Sequence, residues 1–361
     1  MTGTAWDTDI RTLISVRDDV DAVLEDFVDA QERAAPGPEM APLFTTARRL
    51  LFSNGKRLRP LLCVAGWQAA GAPGDSHAVL RVAAALELFQ TFALVHDDVM
   101  DDSDTRRGQP SAHRALAAEY VSGGGRLSKA EAHGLGAAIL LGDLLLVWSD
   151  AMLTGAGLGA GERARILPLV DSMRVELVYG QYLDLLSTDR MSGDVESALR
   201  VARYKTGKYT VERPLHLGVS LAGGDPRLLQ TCTDFAIPLG EAFQLRDDLL
   251  NVFGDPVQTG KPVGDDIREG KATVLLALTV QDASEADLKL LSTLVGNPEL
   301  GSEDIDRVRT VMETTGARQR VEKMITARRD AALATLEEAD LPRDVAETLR
   351  QIVWMATERQ S

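Results

Sequence analysis

The sequence predicts an all-α protein, and three observations carry that expectation. Ala, Leu and charged helix formers are abundant while aromatics make up only 5% of the 361 residues. Apolar residues recur at three- and four-residue steps from near the N-terminus almost to the C-terminus. Convincing alternating strands are few. From Ile10 to Ala34 the apolar series Leu13, Val16, Val20, Val23, Leu24 and Phe27 describes an amphipathic helix closed by Pro36-Gly37-Pro38. Further breaks fall at Asn54-Gly55, Gly71 to Gly74, Gly108 to Pro110, Gly123 to Gly125, Gly155 to Gly161, Gly223 to Pro226 and Gly254 to Gly264, leaving roughly ten or more helices between them.

Length alone would suggest two domains, yet no stretch has the composition of a long linker, so one domain over residues 1–361 is expected. Fifty-four acidic against thirty-nine basic residues leave a net charge of -15, which repels nucleic-acid phosphates and argues against such a partner. Cys63 and Cys232 match no metal spacing and read as reduced core residues, which points to a cytoplasmic setting. Met1 to Ile10 does not resemble a secretory signal, and the most apolar stretch, Leu135 to Trp148, is interrupted by Gly142 and Asp143, so no integral membrane segment is expected.

Two helical stretches carry the chemistry. Around Val82 to Met100 one side is apolar, with Leu86, Phe89, Phe92, Ala93 and His96, while Glu87, Gln90, Asp97, Asp98 and Asp101 lean to the other. Asp97 and Asp101 stand four apart and Asp98 and Asp101 three apart, so their carboxylates share a face and repel one another by about 0.2–0.5 kcal/mol per pair. Such a cluster wants a cation, and oxygen ligands that leave coordination sites open suit magnesium bound together with a phosphate. Read alone, the cluster equally describes a hydrated acidic face. Arg106 and Arg107 follow it directly, however, and paired guanidinium groups are built to hold a diphosphate.

The second stretch, Phe235 to Phe253, carries Gln244, Asp247 and Asp248, and cations follow it at Lys261 and Lys271. Two such helices facing one another would form a cup with metal and phosphate at the mouth and apolar residues below, which is leaving-group chemistry assisted by a metal ion. None of the five histidines has a metal-like spacing. His96 adjoins the first cluster, but its place on the apolar side predicts hydrogen-bonded packing. Tyr179, Gln181 and Asp184 lie on an expected central helix, where they could reach the cup or serve packing.

These residues resemble the trans-isoprenyl diphosphate synthase (polyprenyl synthetase) family, whose landmarks appear here in order. Gly55-Lys56-Arg57-Leu58-Arg59-Pro60, Asp97-Asp98-Val99-Met100-Asp101 with Arg106-Arg107-Gly108, Lys205-Thr206, and Phe243-Gln244-Leu245-Arg246-Asp247-Asp248 span roughly Asn54 to Thr273. The resemblance implies the isoprenoid synthase fold, a helical bundle around a central cavity, and condensation of isopentenyl diphosphate with an allylic diphosphate. It implies three magnesium ions held by Asp97, Asp98, Asp101, Asp247 and Asp248. Lys56, Arg59 and Arg107 would grip isopentenyl diphosphate, and Gln90, one turn or two upstream of the first cluster, is a further substrate-binding residue. Arg106, Lys205, Gln244, Lys261 and Lys271 would serve the allylic diphosphate, and the Thr206 oxygen would lie near the developing carbocation. Asp97, Asp98, Lys205, Thr206, Gln244 and Asp247 form the expected catalytic set.

One departure from the family pattern is Asn251, where many members have a further Asp; Asp255 is a candidate helper, and Asp102, Asp104, Asp265 and Asp266 have no assigned role. Phe92 and Phe89, about 7.5 and 12 Å upstream of Asp97 at about 1.5 Å per residue, are candidate floors of the tail cavity, although ordinary core packing also explains them. Ala93 leaves room where farnesyl-making relatives often carry an aromatic, so the resemblance favours a geranylgeranyl product over a farnesyl or longer one. A terpene cyclase or a non-catalytic partner subunit are the rival readings. The cyclase is disfavoured because its usual second metal pattern is absent after Phe235, the partner subunit because the metal and phosphate sets are complete. Relatives usually form homodimers, for which the helices around Leu135 to Trp148 would supply the interface.

Overall fold

The computed structural model describes residues 5–53, 55–71, 76–188, 190–254 and 264–358, with side chains from residue 15 onward. The first helix, Ala5–Arg33, sets Val20, Leu24 and Val28 into the core at four-residue steps and ends before Pro36, where the chain can no longer donate to the helical ladder. The short helices Ala41–Leu51 and Leu58–Ala69 follow. Next comes His77–Met100, the helix around which one half of the molecule is packed.

The sequence assigns this helix a polar side at Glu87 and Gln90, but both are buried. They are tolerated because each has a partner: Arg57 donates to Glu87 at 2.8 Å, and the Tyr209 hydroxyl donates to Gln90 at 2.7 Å. The helix is therefore enclosed on all sides in its middle, and its acidic C-terminal end is among the parts that emerge. A two-residue strand pair, Thr105–Arg106 against Gln109–Pro110, follows it, where the sequence shows only a break. Its turn places both Arg107 (φ 54°) and Gly108 (φ 71°) in the left-handed region, the signature of a two-residue type I′ hairpin.

Helix Leu127–Thr154 packs along His77–Met100. His96 Nε2 lies 3.1 Å from the Ile139 carbonyl, the packing role read for this histidine. Gly142 makes the approach possible, since a Cβ there would fall 2.2 Å from the ring. Both helices are long and apolar enough to cross a membrane by length and composition, which corrects the reading that no stretch reaches that length: Gly142 and Asp143 do not break the helix. His77–Met100 is mostly enclosed by protein, whereas Leu127–Thr154 leaves a broad apolar side uncovered.

The second half is arranged around the central helix Ala160–Ser187 and helix Pro226–Phe253, which is opened by Asp225 accepting from the Arg227 and Leu228 amides. Between them, helix Val195–Ala202 runs into a π-helical segment, Arg203–Glu212, and then into helix Arg213–Leu221. The wider π turn shifts the side chains against their neighbours, a local cost that is commonly retained at functional sites. Glycine lets it fit: a Cβ on Gly240 would lie 2.2 Å from Gly207 Cα, and one on Gly180 would lie 2.6 Å from the Lys205 amide nitrogen. The C-terminal helices Val274–Asp282, Glu285–Leu294, Ser302–Thr314, Ala317–Glu338 and Arg343–Thr357 build the remaining cores against Pro226–Phe253.

Candidate active site

The ends of His77–Met100, Ala160–Ser187 and Pro226–Phe253 converge with the π segment around a cavity of about 530 Å³. Asp97, Asp101, Arg106, Asp184, Lys205, Thr206, Gln244, Asp247, Asp248, Asn251 and Lys271 line it at the polar end, and Phe92, Ala93, Leu177 and Val178 at the apolar end. Two acidic helices that are distant in sequence thus share one hollow.

Lys205 Nζ bridges the first cluster and the central helix, 2.9 Å from Asp97 Oδ1 and 2.7 Å from Asp184 Oδ2. Lys271 Nζ lies 2.8 Å from Asp101 and 2.7 Å from Glu269. Burial by itself would raise the Asp97 carboxyl, but the neighbouring charges of Lys205, Lys271 and Arg106 outweigh it and hold the group well below the usual carboxylate range. On the other helix the result is opposite. Burial pushes Asp248 well above its ordinary value, Asp266 and Asp247 add repulsion, and only the hydrogen bond from Gln244 offsets them. Thr206 donates to Gln244 at 2.6 Å and Gln244 donates to Asp248 at 2.8 Å, so a directed chain of hydrogen bonds sets all three side chains.

This donor set fits a divalent cation shared with a phosphate. Asp97 and Asp101 present oxygens to the cavity from one helix and Asp247 from the other, and the strained Asp248 carboxyl would be relieved by added positive charge. Among the described residues no three His, Cys, Asp or Glu side chains converge closely enough to hold a metal ion on their own.

Several sequence-predicted residues lie elsewhere. Asp98 was expected to be a metal ligand, but it is buried behind the cavity wall, one residue off the Asp97/Asp101 face, and it receives the Arg106 guanidinium (Nε at 2.8 Å). It orients Arg106. Phe89 also lies behind the wall, its ring 5.2 Å from that of Phe92. Tyr179 stands outside against Tyr204, while Gln181 and Asp184 reach the cavity. Asn251 accepts the Asp266 amide at 3.0 Å, a structural use for the residue that departs from the family pattern. Lys261 and Asp255 lie outside the described residues.

A basic corner adjoins the mouth. Arg59 lies over the Tyr209 ring at 4.3 Å and donates to Thr210 at 2.6 Å. Arg107 donates to the Ser53 carbonyl at 2.7 Å. Gly55 lies beside the Arg57 and Arg107 guanidinium groups, where a Cβ would sit 3.4 Å and 3.2 Å from them. Lys56 is exposed at the same turn. Sequence reasoning passed over Glu269, Tyr209 and Thr210. Glu269 stands two residues from the predicted Lys271, and Tyr209 and Thr210 stand four residues after Lys205 and Thr206, a spacing that could have pointed to them.

An all-helical cup with opposed carboxylates and a basic corner at the mouth and an apolar floor defines a class of enzyme that handles a hydrocarbon chain ending in a diphosphate. The sequence model of that class confirms it: the chain matches the Polyprenyl synthetase family over residues 41–314, and it belongs to that family. It is 31% identical over 287 residues to a short chain isoprenyl diphosphate synthase of Methanocaldococcus jannaschii, covering 79% of this chain and 78% of the relative. It is 32% identical to a geranylgeranyl diphosphate synthase of Mycobacterium tuberculosis over 80% of this chain and 76% of that one. Among solved structures, a geranylgeranyl pyrophosphate synthase of Corynebacterium glutamicum, complexed with isoprenyl diphosphate and magnesium, superimposes with a TM-score of 0.91 at 41% identity, over 96% of this chain and 98% of the other. The protein is a prenyltransferase.

Proposed function

We propose that the protein condenses isopentenyl diphosphate with an allylic diphosphate in a magnesium-dependent reaction whose product is geranylgeranyl diphosphate. The observation that carries the reading is Lys205, which joins Asp97 to Asp184 above an apolar-floored cavity that Gln244 and Asp247 also line. Asp97, Asp101, Asp247 and Asp248 would hold the magnesium ions, three in number by the family resemblance. Bound magnesium supplies positive charge to the departing diphosphate oxygens.

The chain's own residues divide the remaining work. Arg106, Lys205 and Lys271 place fixed positive charge where the allylic diphosphate leaves, and their positions are set in advance by the carboxylates that hold them. Lys261 joins them by resemblance. Lys56, Arg59 and Arg107 hold isopentenyl diphosphate in the adjoining basic corner, so that its double bond meets the allylic carbon from a fixed direction. The Thr206 hydroxyl, tied to Gln244, turns its oxygen lone pairs toward the cavity and stabilises the allylic cation. Phe92 and Ala93 line the apolar end and set the room for the growing tail, with Phe89 behind them.

The reading treats residues 1–361 as one domain, supported by helix Pro226–Phe253, which contributes to two of the cores. It includes a homodimer. Leu140, Val147, Val175 and Tyr182 are each more than half exposed on adjacent helices, and a second copy would cover them. It also includes a cytoplasmic setting, in keeping with two free thiols that burial pushes up to about 12.

Incubation with isopentenyl diphosphate and each allylic primer, with and without magnesium, tests the reading. The expected result is a twenty-carbon diphosphate formed only with metal. Absence of product with every primer overturns it.

A further inference from the structure

Two helices that both line the cavity descend from its mouth. On His77–Met100 the steps run Asp97, Ala93, Phe89; on Ala160–Ser187 they run Asp184, Gln181, Leu177, Arg174, each at three- or four-residue spacing and so on one face. At the top both meet Lys205. At the bottom they meet again, where the Arg174 guanidinium lies 5.6 Å from the centre of the Phe89 ring. The rise of a helix makes that descent about 12 Å along one and about 15 Å along the other. Arg174 also bonds Asp150 on Leu127–Thr154, while its Nε is buried with no hydrogen-bond partner among the described residues.

We infer that Arg174 is a specificity-determining residue for product length, a charged stop beneath the aromatic floor that ends the tail cavity. This rests on the prenyl-transfer reading above. Phe92 lines the cavity, Phe89 lies behind it with its ring tilted against that of Phe92, and Arg174 lies next, against the Phe89 ring. A hydrocarbon tail that displaces an aromatic ring gains apolar contact and loses little. One that advances onto the partly exposed guanidinium must displace it from the Phe89 ring face and from Asp150 and set hydrocarbon against a charge, which is disfavoured. The ring contact also restrains Phe89 from swinging aside. The floor is thus a pair of aromatics backed by a cation that yields less readily than they do.

The test opens the floor and then removes the charge. In a Phe89→Leu/Phe92→Ala chain, products lengthen relative to the parent and stop at Arg174. Adding Arg174→Met, which keeps the linear shape without the charge, extends the main product by at least one further five-carbon unit, whereas adding Arg174→Lys does not. Identical product lengths with Arg, Lys and Met in the opened chain overturn the inference. Should the triple variant fail to fold, Arg174→Met alone decides: kcat/KM for the longest accepted allylic primer rises severalfold relative to the shortest, and an unchanged ratio overturns it. An unaltered chain that makes no prenyl diphosphate sinks the prenyl-transfer reading as a whole, whereas normal product from it with unmoved Arg174 variants sinks only the stop.

Discussion

Substituting Gly180 by Ala places one methyl group between the central helix and the π segment. The new Cβ would sit 2.6 Å from the Lys205 amide nitrogen, 2.9 Å from the Tyr204 carbonyl carbon and 3.0 Å from Lys205 Cα. All three are backbone atoms and cannot rotate away, and the closest is about 1 Å short of van der Waals contact. Overpacking of this kind costs about 1–3 kcal/mol, while Ala in place of Gly returns about 1 kcal/mol of helix propensity, so the net loss of stability is about 0–2 kcal/mol. The catalytic effect is larger. The displaced segment carries Lys205 and Thr206, and an error of about 1 Å in such groups can cost about 100-fold, or about 2.7 kcal/mol of barrier. We expect kcat to fall about 100-fold while the thermal midpoint drops by only a few degrees. Steady-state product formation measured beside calorimetric unfolding checks it. A kcat within threefold of the parent would refute the claim that Gly180 sets the position of Lys205.

Phe92→Ala should shift the product distribution toward chains at least one five-carbon unit longer, read by chromatography of the dephosphorylated products; an unchanged distribution removes Phe92 from the floor. Glu176 receives Arg213 through two hydrogen bonds of 2.7 and 2.6 Å, and although burial would raise its carboxyl, Arg213 and Lys208 outweigh it and hold the group below its ordinary value. A depressed carboxyl stabilises the fold above its unfolded value near 4.5, and that contribution is lost as pH falls through the folded value. Glu176→Gln should therefore cost about 1.5–3 kcal/mol at pH 7, with the gap to the parent narrowing below about pH 4.5 in denaturant titrations; a gap that does not vary with pH would show that the carboxylate charge is not what Arg213 stabilises.

The helices and the two acidic clusters were legible in the chain because both follow from local spacing. Apolar residues at three- and four-residue steps encode a buried stripe, and Asp97 with Asp101 share a face whatever surrounds the helix. The order of the family landmarks added the reaction class. Long-range facts were not legible in the same way. Glu87 and Gln90 look like a solvated side in sequence, and only the arrival of Arg57 and Tyr209 from other elements allows them to be buried. Asp98 resembles its neighbours as a ligand until the helix phase and the reach of Arg106 turn it away from the cavity.

What the sequence by itself determined is thus the kind of chemistry: carboxylates, guanidinium groups and amines in numbers and order that suit a metal-bound diphosphate. What only the tertiary structure decided is which of them meet. Lys205 joins Asp97 and Asp184 because glycines at 180 and 240 let neighbouring backbones approach closely around a π turn, and Arg174 reaches Phe89 because its long side chain spans from one helix to the ring on the other. Spacing along one helix is a local property of the chain, whereas contact between helices depends on how every side chain between them packs, and no single segment contains that information.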